Sequence, residues 1–349
     1  MAPDGNLRSR AQSSIARLKS VWRPAANDPG LREWLGDRPL VVLEAGARGG
    51  PNSRWSPFGD AVEIVGIEAD PEEHARLERE LGGPARRFLN YALASEHGRG
   101  VLHVCRQAGC SSLFPPNREF VAAFAPEFQQ MMEEVATETV ETTPLDAVAE
   151  AHRLAPDVIC LDVQGAELAV LQGARQTLER VKLVECEVEL APQYVGQPLF
   201  AEVDQHLRAR GFALLGLRRT YWRRQSERSS AASTAGGQLV HGDALYYNRE
   251  LLEHAPGDER ELVRWLVALA AYRQDDFVAH LLERHPARTA LAIAPARLRR
   301  VVLPGDKLGW RLARRALTLL HAPHHLTLRH WVVGLRSAPA PDWHDPDFF

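Results

Sequence analysis

The stretch VICLDVQGAELAVLQGA, residues 158–174, sets an acid, a glycine and a second acid where an apolar run gives way to helical spacing. Val158–Leu161 reads as a buried strand, and Leu168, Leu171, Ala174 and Leu178 recur at helical intervals. Asp162 therefore ends a strand, Gly165 allows a tight turn, and Glu167 opens a helix. A carboxylate held at such a position can accept a proton, or a hydrogen bond, from a hydroxyl group brought against it. Asp162 is the candidate base, and Glu167 is the candidate partner that orients it or accepts from substrate. A first-turn acid is also favoured by the helix dipole, so Glu167 has a structural reading beside the chemical one.

In an open α/β sheet, ligands bind beyond the carboxyl ends of the strands, near the point where strand order reverses. Other strand ends carry polar or glycine signals too. Leu40–Leu43 runs into Glu44-Ala45-Gly46-Ala47-Arg48-Gly49-Gly50, Glu63–Ile67 into Glu68-Ala69-Asp70, and a short strand near 87–89 into Asn90. Gly46, Gly49 and Gly50 let the backbone turn tightly and let a ligand approach main-chain N–H groups. Glu68 follows Gly46 by 22 positions, the interval at which a strand-end acid receives two ribose hydroxyls. The turn is not GxGxxG, and Pro51 after it cannot donate a backbone hydrogen bond, so a pyrophosphate cradle is disfavoured. S-adenosylmethionine has no phosphate and suits the turn better.

These elements must be positioned by a larger scaffold. The chain has 349 residues, 45% apolar and 25% charged, with a net charge of −3. That balance describes a globular protein and gives no global argument for nucleic acid. Cys105, Cys110, Cys160 and Cys186 have no CxxC spacing and read as reduced thiols in a cytoplasmic protein. No window has the apolar length of a signal peptide core or a membrane span. Strands and helices alternate through most of residues 39–250, which predicts a parallel sheet covered on both faces. The last two strands, Phe212–Leu217 and Ala244–Tyr247, have no helix between them and predict an antiparallel hairpin at one end. VLHVC, 101–105, alternates like an exposed strand.

The pieces VVLEAGARGG, VGIEADPEE, FLNYALAS, CSSLFPPN, TTPLDAV, VICLDVQGAELAVLQGA, VECEVEL and GDALYY occur in an order that resembles the FkbM family of S-adenosylmethionine-dependent methyltransferases. The resemblance covers roughly 39–250, and LDVQGAELAVLQGA is its most specific part. It implies a seven-stranded, mostly parallel, Rossmann-like sheet of the class I methyltransferase type. It implies that Glu44, Gly46, Gly49, Glu68 and Asn90 surround the cofactor, with Glu68 on the ribose and Asn90 near the adenine or ribose edge. It implies O-methyl transfer to a hydroxyl of a sugar, glycan or secondary metabolite. The CSSLFPPN loop would cover the site, with Ser112 and Asn117 on substrate hydroxyls. Tyr194 would line the acceptor pocket, and Glu187 is the candidate substrate contact among the acids of VECEVEL. Many relatives carry Asp at the place of Glu44 and Glu at the place of Gln164.

Outside that region, residues 1–38 read as an N-terminal arm or packing helix, 218–238 as a mobile loop, and 251–349 as a mainly helical C-terminal appendage. Asp162 and Glu167, with Glu185, Glu187 and Glu189 at period two on the next strand, offer oxygen ligands that a divalent cation accepts. Such a cation is chemically compatible but not expected, and no metal ligands are assigned. His321, His324, His325 and His330 read as surface histidines. From 297 to 336 there are nine Arg/Lys against one acid, Asp306. A solvated face is the simplest reading, and contact with a membrane or an anionic carrier is the functional one. The reading that competes with catalysis is a cofactor-fold module without activity, acting as a docking platform in glycan assembly.

Overall fold

A computed structural model describes residues 31, 32, 35, 36, 38–224, 237–254 and 258–284. The first strand, β1 (Leu40–Ala45), is followed by β2 (Val62–Glu68), β3 (Arg86–Asn90), β4 (Ala92–Ala94), β5 (Gly98–Cys105) and β6 (Glu134–Pro144). Next come β7 (Val158–Leu161), β8 (Leu183–Glu189), β9 (Phe212–Trp222) and β10 (Gln238–Asn248). Seven of these form the main sheet, in the order β3-β2-β1-β7-β8-β10-β9. Its pairs from β3 through β8 are parallel, and β10 is antiparallel to both β8 and β9. The sheet closes with a hairpin whose second strand inserts beside β8. This is the seven-stranded arrangement of the class I methyltransferase fold.

The apolar alternation decides the layers. Leu43, Ile159, Val184 and Tyr246 share one core with α2 (Leu145–His152), α3 (Glu167–Gln172) and α4 (Phe200–Arg208). Leu40, Val42, Val158, Leu183 and Leu245 face the other way, onto Trp55 and Phe58 and onto α5 (Glu259–Ala271) and α6 (Asp275–Arg284). The helix after β2, α1 (Pro71–Leu81), starts where Asp70 caps it, its Oδ1 accepting from the N–H groups of Glu72 and Glu73, with Pro71 in the first turn. A separate three-stranded sheet, β4-β6-β5, stands beside the main one. VLHVC belongs to it, paired with a strand, 134–144, whose polar composition gave little sign of itself.

Two regions differ from the sequence reading. Residues 218–222 and 238, assigned to a loop, are strand, and β9 and β10 extend their hairpin well beyond the apolar cores that announced them. Helices α5 and α6, assigned to an appendage, lie in the main core: Leu262, Trp265, Leu266, Leu269 and Tyr272 are all buried against the sheet. A polar cluster fixes α5 at the amino end of the strands. Asp157 accepts from Lys182 Nζ at 2.8 Å, Lys182 also reaches Glu261 at 2.7 Å, and Arg38 binds Asp157 at 2.9 Å. Arg264 Nη2 donates to the carbonyls of Leu35 and Arg38. Most of the N-terminal arm, the basic segment 297–336 and His321, His324, His325 and His330 lie outside the described residues. Among the described residues, no helix is long and apolar enough to cross a membrane.

Because α5 shares the core, Trp265→Ala is expected to destabilise the whole sheet domain by about 3–5 kcal/mol. Urea unfolding followed by circular dichroism measures this. A main transition that keeps its midpoint would show that α5 folds apart from the sheet.

Candidate active site

Parallel pairing sets the acids of one sheet face in rows. Glu44 lies level with Cys160, Glu185 and Leu245 across β1, β7, β8 and β10. One pleat further on, Asp162 follows the Leu161–Cys186 pair, and Glu187 pairs with Asp243. Beyond that, Glu189 pairs with His241. The same face is apolar in its amino half, at Leu40, Val42, Val158 and Leu183. The strand order reverses between β1 and β7, so Glu44 and Asp162 flank the switch point.

The two loops at that point touch. Gly46 has φ +80°, its N–H donates to Ile67 O at 3.0 Å, and a Cβ there would stand 1.8 Å from Asp162 O. Only glycine fits. The Asp162 N–H in turn donates to Ala45 O at 3.0 Å, extending the ladder by one residue. After Asp162 the backbone turns through Gln164 (φ +55°) and Gly165 (φ +95°). A glutamine in the left-handed region is uncommon and needs local support. It has that support: Ser112 Oγ donates to Gln164 O at 2.5 Å, and Tyr194 OH donates to Gln164 Oε1 at 2.7 Å. Gln164 Nε2 reaches Asp162 Oδ1 at 2.6 Å and Glu187 Oε2 at 2.5 Å. The amide bridges two carboxylates.

Asp162 is exposed, whereas Glu167 (1%), Glu187 (7%) and Glu189 (2%) are buried behind it. Glu167 Oε1 accepts from Val163 N–H at 2.7 Å and so braces the same turn. Burial pushes Glu167 well above the usual carboxylate range, helped by the charge of Glu189. Burial and then Asp162 do the same to Glu187. Glu189 is pushed up to about 8, chiefly by burial, with Asp162 raising it further. His241 Nδ1 lies 2.5 Å from Glu187 Oε1, and burial lowers its pKa. Burial thus raises the acid and lowers the base, which works against charge separation between them. Glu185, which the sequence groups with Glu187 and Glu189, is engaged elsewhere. Arg54 Nη2 binds it at 3.0 Å and Tyr272 OH donates to it at 2.9 Å.

The residues expected on the cofactor side lie at or just beyond the ends of β1, β2 and β3. Glu68 is buried at the end of β2, its Oε1 accepting from Asp70 N–H at 3.0 Å, with Arg48 at 3.6 Å. Gly49 has φ +83° and open space where a Cβ would lie. Asn90 Nδ2 donates to the carbonyls of Glu68 and Ala69, so its amide nitrogen shapes the Glu68 loop instead of pointing at a ligand. Glu44 is turned inward, accepting from Asn52 N–H at 3.3 Å and Trp55 Nε1 at 3.1 Å. It supports the glycine turn from behind.

On the acceptor side three expectations change. Ser112 is 1% exposed, and its hydroxyl donates to Gln164 O while accepting from Phe114 N–H, so it pins the turn. Tyr194 is fully buried, its hydroxyl held at Cys110 O and Gln164. Asn117 Oδ1 caps a short helix by accepting from Phe120 N–H at 3.1 Å. The Ser112 and Tyr194 hydroxyls are thus committed within the protein, and Asn117 commits its side-chain oxygen to the cap. Sequence reasoning missed Arg54, His241 and Tyr272. His241 shares a strand face with Asp243 by period two, which was the one available signal.

Residues 52–214 match the family described as "Methyltransferase FkbM domain". That span contains Glu68, Asn90, Asp162, Glu167, Glu187 and Glu189, and leaves β1 and His241 outside it. A curated relative, "2-O-methyltransferase NoeI" of Sinorhizobium fredii, is 28% identical over 175 residues, covering 47% of this chain and 70% of that one. Among solved structures, magnesium protoporphyrin IX methyltransferase from Synechocystis is 11% identical with a TM-score of 0.31, covering 71% of this chain and 86% of the other. The 1,6-didemethyltoxoflavin-N1-methyltransferase of Burkholderia thailandensis is 16% identical with a TM-score of 0.29, covering 71% and 92%. At these scores the strand order, not the superposition, carries the fold assignment.

Glu44 gives this site a signature in pH. Burial raises it to about 7, against the pull of the Asn52 N–H, Arg54 and Trp55. Below about pH 4.5 the folded and unfolded chains both hold the proton. Between there and pH 7 the folded chain keeps a proton that the unfolded chain has lost, so stability falls as pH rises. The loss is complete above pH 7, at roughly 3 kcal/mol. Glu44→Gln keeps a carbonyl oxygen for both donors and has nothing to titrate. Thermal melts from pH 5 to 8 should show the variant gaining on wild type as pH rises. Parallel melting curves across that range would disprove the assignment.

Proposed function

We propose, from the match of residues 52–214 to the methyltransferase FkbM domain, that this S-adenosylmethionine-dependent methyltransferase methylates a hydroxyl of a sugar, within a glycan or a secondary metabolite. The observation that carries this reading is the isolation of Asp162. Of the acids gathered past the switch point on β7 and β8, it is the one open to solvent, and its carboxylate is held by Gln164. The 2-O-methyltransferase named among the relatives supports a hydroxyl acceptor.

The residues present fit the cofactor. Glu68 commits Oε1 to Asp70 N–H, leaving Oε2 without a hydrogen bond among the described residues and able to receive a ribose hydroxyl. The open space at Gly49 admits a ligand against the backbone. When bound, S-adenosylmethionine supplies a methyl group to an attacking oxygen. The protein's own contribution is to hold that oxygen and take its proton. Asp162 accepts the hydroxyl hydrogen, and its oxygen is kept in place by an amide whose other end is fixed by buried Tyr194. Orientation of this kind is worth several kcal/mol. Phe114, Phe120, Phe124, Phe128 and Trp222 pack together with Cys110 and Tyr194 into the apolar cluster behind the Ser112 loop. The four free cysteines accord with a cytoplasmic setting.

Calorimetric titration with S-adenosylhomocysteine should give micromolar binding that Glu68→Ala reduces at least tenfold. Asp162→Asn should keep that binding while methyl transfer to a hydroxyl-bearing glycan falls roughly 10²–10⁴-fold. Full activity in Asp162→Asn would remove Asp162 as the base. A folded wild type that ignores S-adenosylhomocysteine would end the methyltransferase reading.

A further inference from the structure

Glu167, Glu187 and Glu189 come from the start of α3 and the end of β8, and each brings a carboxylate oxygen to within 4.8 Å of the others. All three are buried. The donors that reach them are Val163 N–H on Glu167 and Gln164 Nε2 and the His241 ring on Glu187. Glu189 Oε1 is different. It is buried, and no hydrogen-bond partner meets it among the described residues. A carboxylate oxygen withdrawn from water without a donor is costly, and the fold has brought two more carboxylates to it rather than a base. Glu185, one pleat back on the same face, shows the alternative solution, since Arg54 and Tyr272 satisfy both of its oxygens.

We propose that Glu167, Glu187 and Glu189 hold a hard divalent cation, of the Mg²⁺, Mn²⁺ or Ca²⁺ class, behind the Asp162 turn. Oxygen-only ligands select that class. The spacing agrees with it. At metal–oxygen distances of about 2.0–2.4 Å, ligand oxygens on opposite sides of an ion lie ~4–4.8 Å apart and adjacent ones roughly 3 Å apart. Binding of the ion displaces the protons that burial favours on these carboxyls, offsets two of the three negative charges so formed, and gives Glu189 Oε1 its missing partner. It also ties α3 to β8 across the turn, because Glu167 is bonded to Val163 and Glu187 to Gln164. The ion therefore acts as a positioning element for Asp162, a consequence that rests on the hydroxyl-methyltransferase reading. The binding itself does not rest on it.

The test uses the full chain, stripped with a chelator and titrated with Mn²⁺ while free ion is followed by electron paramagnetic resonance. One Mn²⁺ per chain should bind and be displaced by excess Mg²⁺ or Ca²⁺. Glu189→Gln should weaken that binding at least tenfold. No bound Mn²⁺ on folded wild type, or binding that Glu189→Gln leaves unchanged, overturns the site. If Glu189→Gln does not fold, crystals of wild type soaked in Mn²⁺ decide the matter by anomalous scattering. A peak among the three carboxylates supports the site, and no peak there overturns it. Titration of the same metal-free protein with S-adenosylhomocysteine keeps the two readings apart. Cofactor binding without Mn²⁺ binding removes the cation and leaves the methyltransferase standing.

Discussion

Carboxylates buried along the carboxyl half of one sheet face are the constraint that the rest of this protein answers. Strand pairing puts Glu44 and Glu185 in one row and Asp162, Glu187 and Asp243 in the next. Ionised carboxylates cannot sit side by side in a low-dielectric interior without compensation. Each row is compensated differently. In the first, Arg54 pairs with Glu185 and stacks over the Tyr272 ring at 4.4 Å, while Glu44 receives donors from Asn52 and Trp55. In the second, Arg218 pairs with Asp243, His241 meets Glu187, and an amide bridges Glu187 to Asp162. The result is one acid facing solvent and the others confined behind it.

The bridge depends on an amide at this position. Gln164 Nε2 is a donor aimed at two carboxylates. An ionised Glu has no donor to offer and would add a charge to a place that already holds several. The amide also keeps its oxygen for Tyr194 OH, so one side chain links the cover of the site to its floor. Its left-handed backbone is held by Ser112 at the carbonyl and followed by Gly165. The strained position and the unusual residue belong to the same device.

The fold was legible where periodicity and punctuation agreed. Most strands of the main sheet were announced by an apolar run, and the polar strand ends marked the site because parallel strands must all finish on the same side. Other features were illegible for physical reasons. Ser112 and Tyr194 have the right chemistry to touch a substrate, but only coordinates reveal that their hydroxyls point into the protein. The separation of Glu185 from Glu187 and Glu189 depends on Arg54, which lies 131 positions earlier in the chain and carries no local signal. Strand β6 is mostly exposed, so it lacks the apolar alternation by which strands are recognised.

The C-terminal helices show most clearly why a boundary drawn from composition can mislead. An amphipathic helix has the same sequence signature whether it covers its own small core or the open face of a neighbouring sheet. Here the sheet left a face uncovered, because Leu40, Val42, Val158 and Leu183 point away from the helices on the opposite side. α5 covers the amino half of that face with apolar residues and is anchored there by Lys182 and Arg264. At its carboxyl end it delivers Tyr272, whose hydroxyl reaches Glu185 while its ring packs edge-on against Trp55. Trp55 in turn donates to Glu44. The helix is therefore joined through two side chains, Tyr272 and Trp55, to the acid behind the glycine turn, so its burial also fixes the first row of carboxylates.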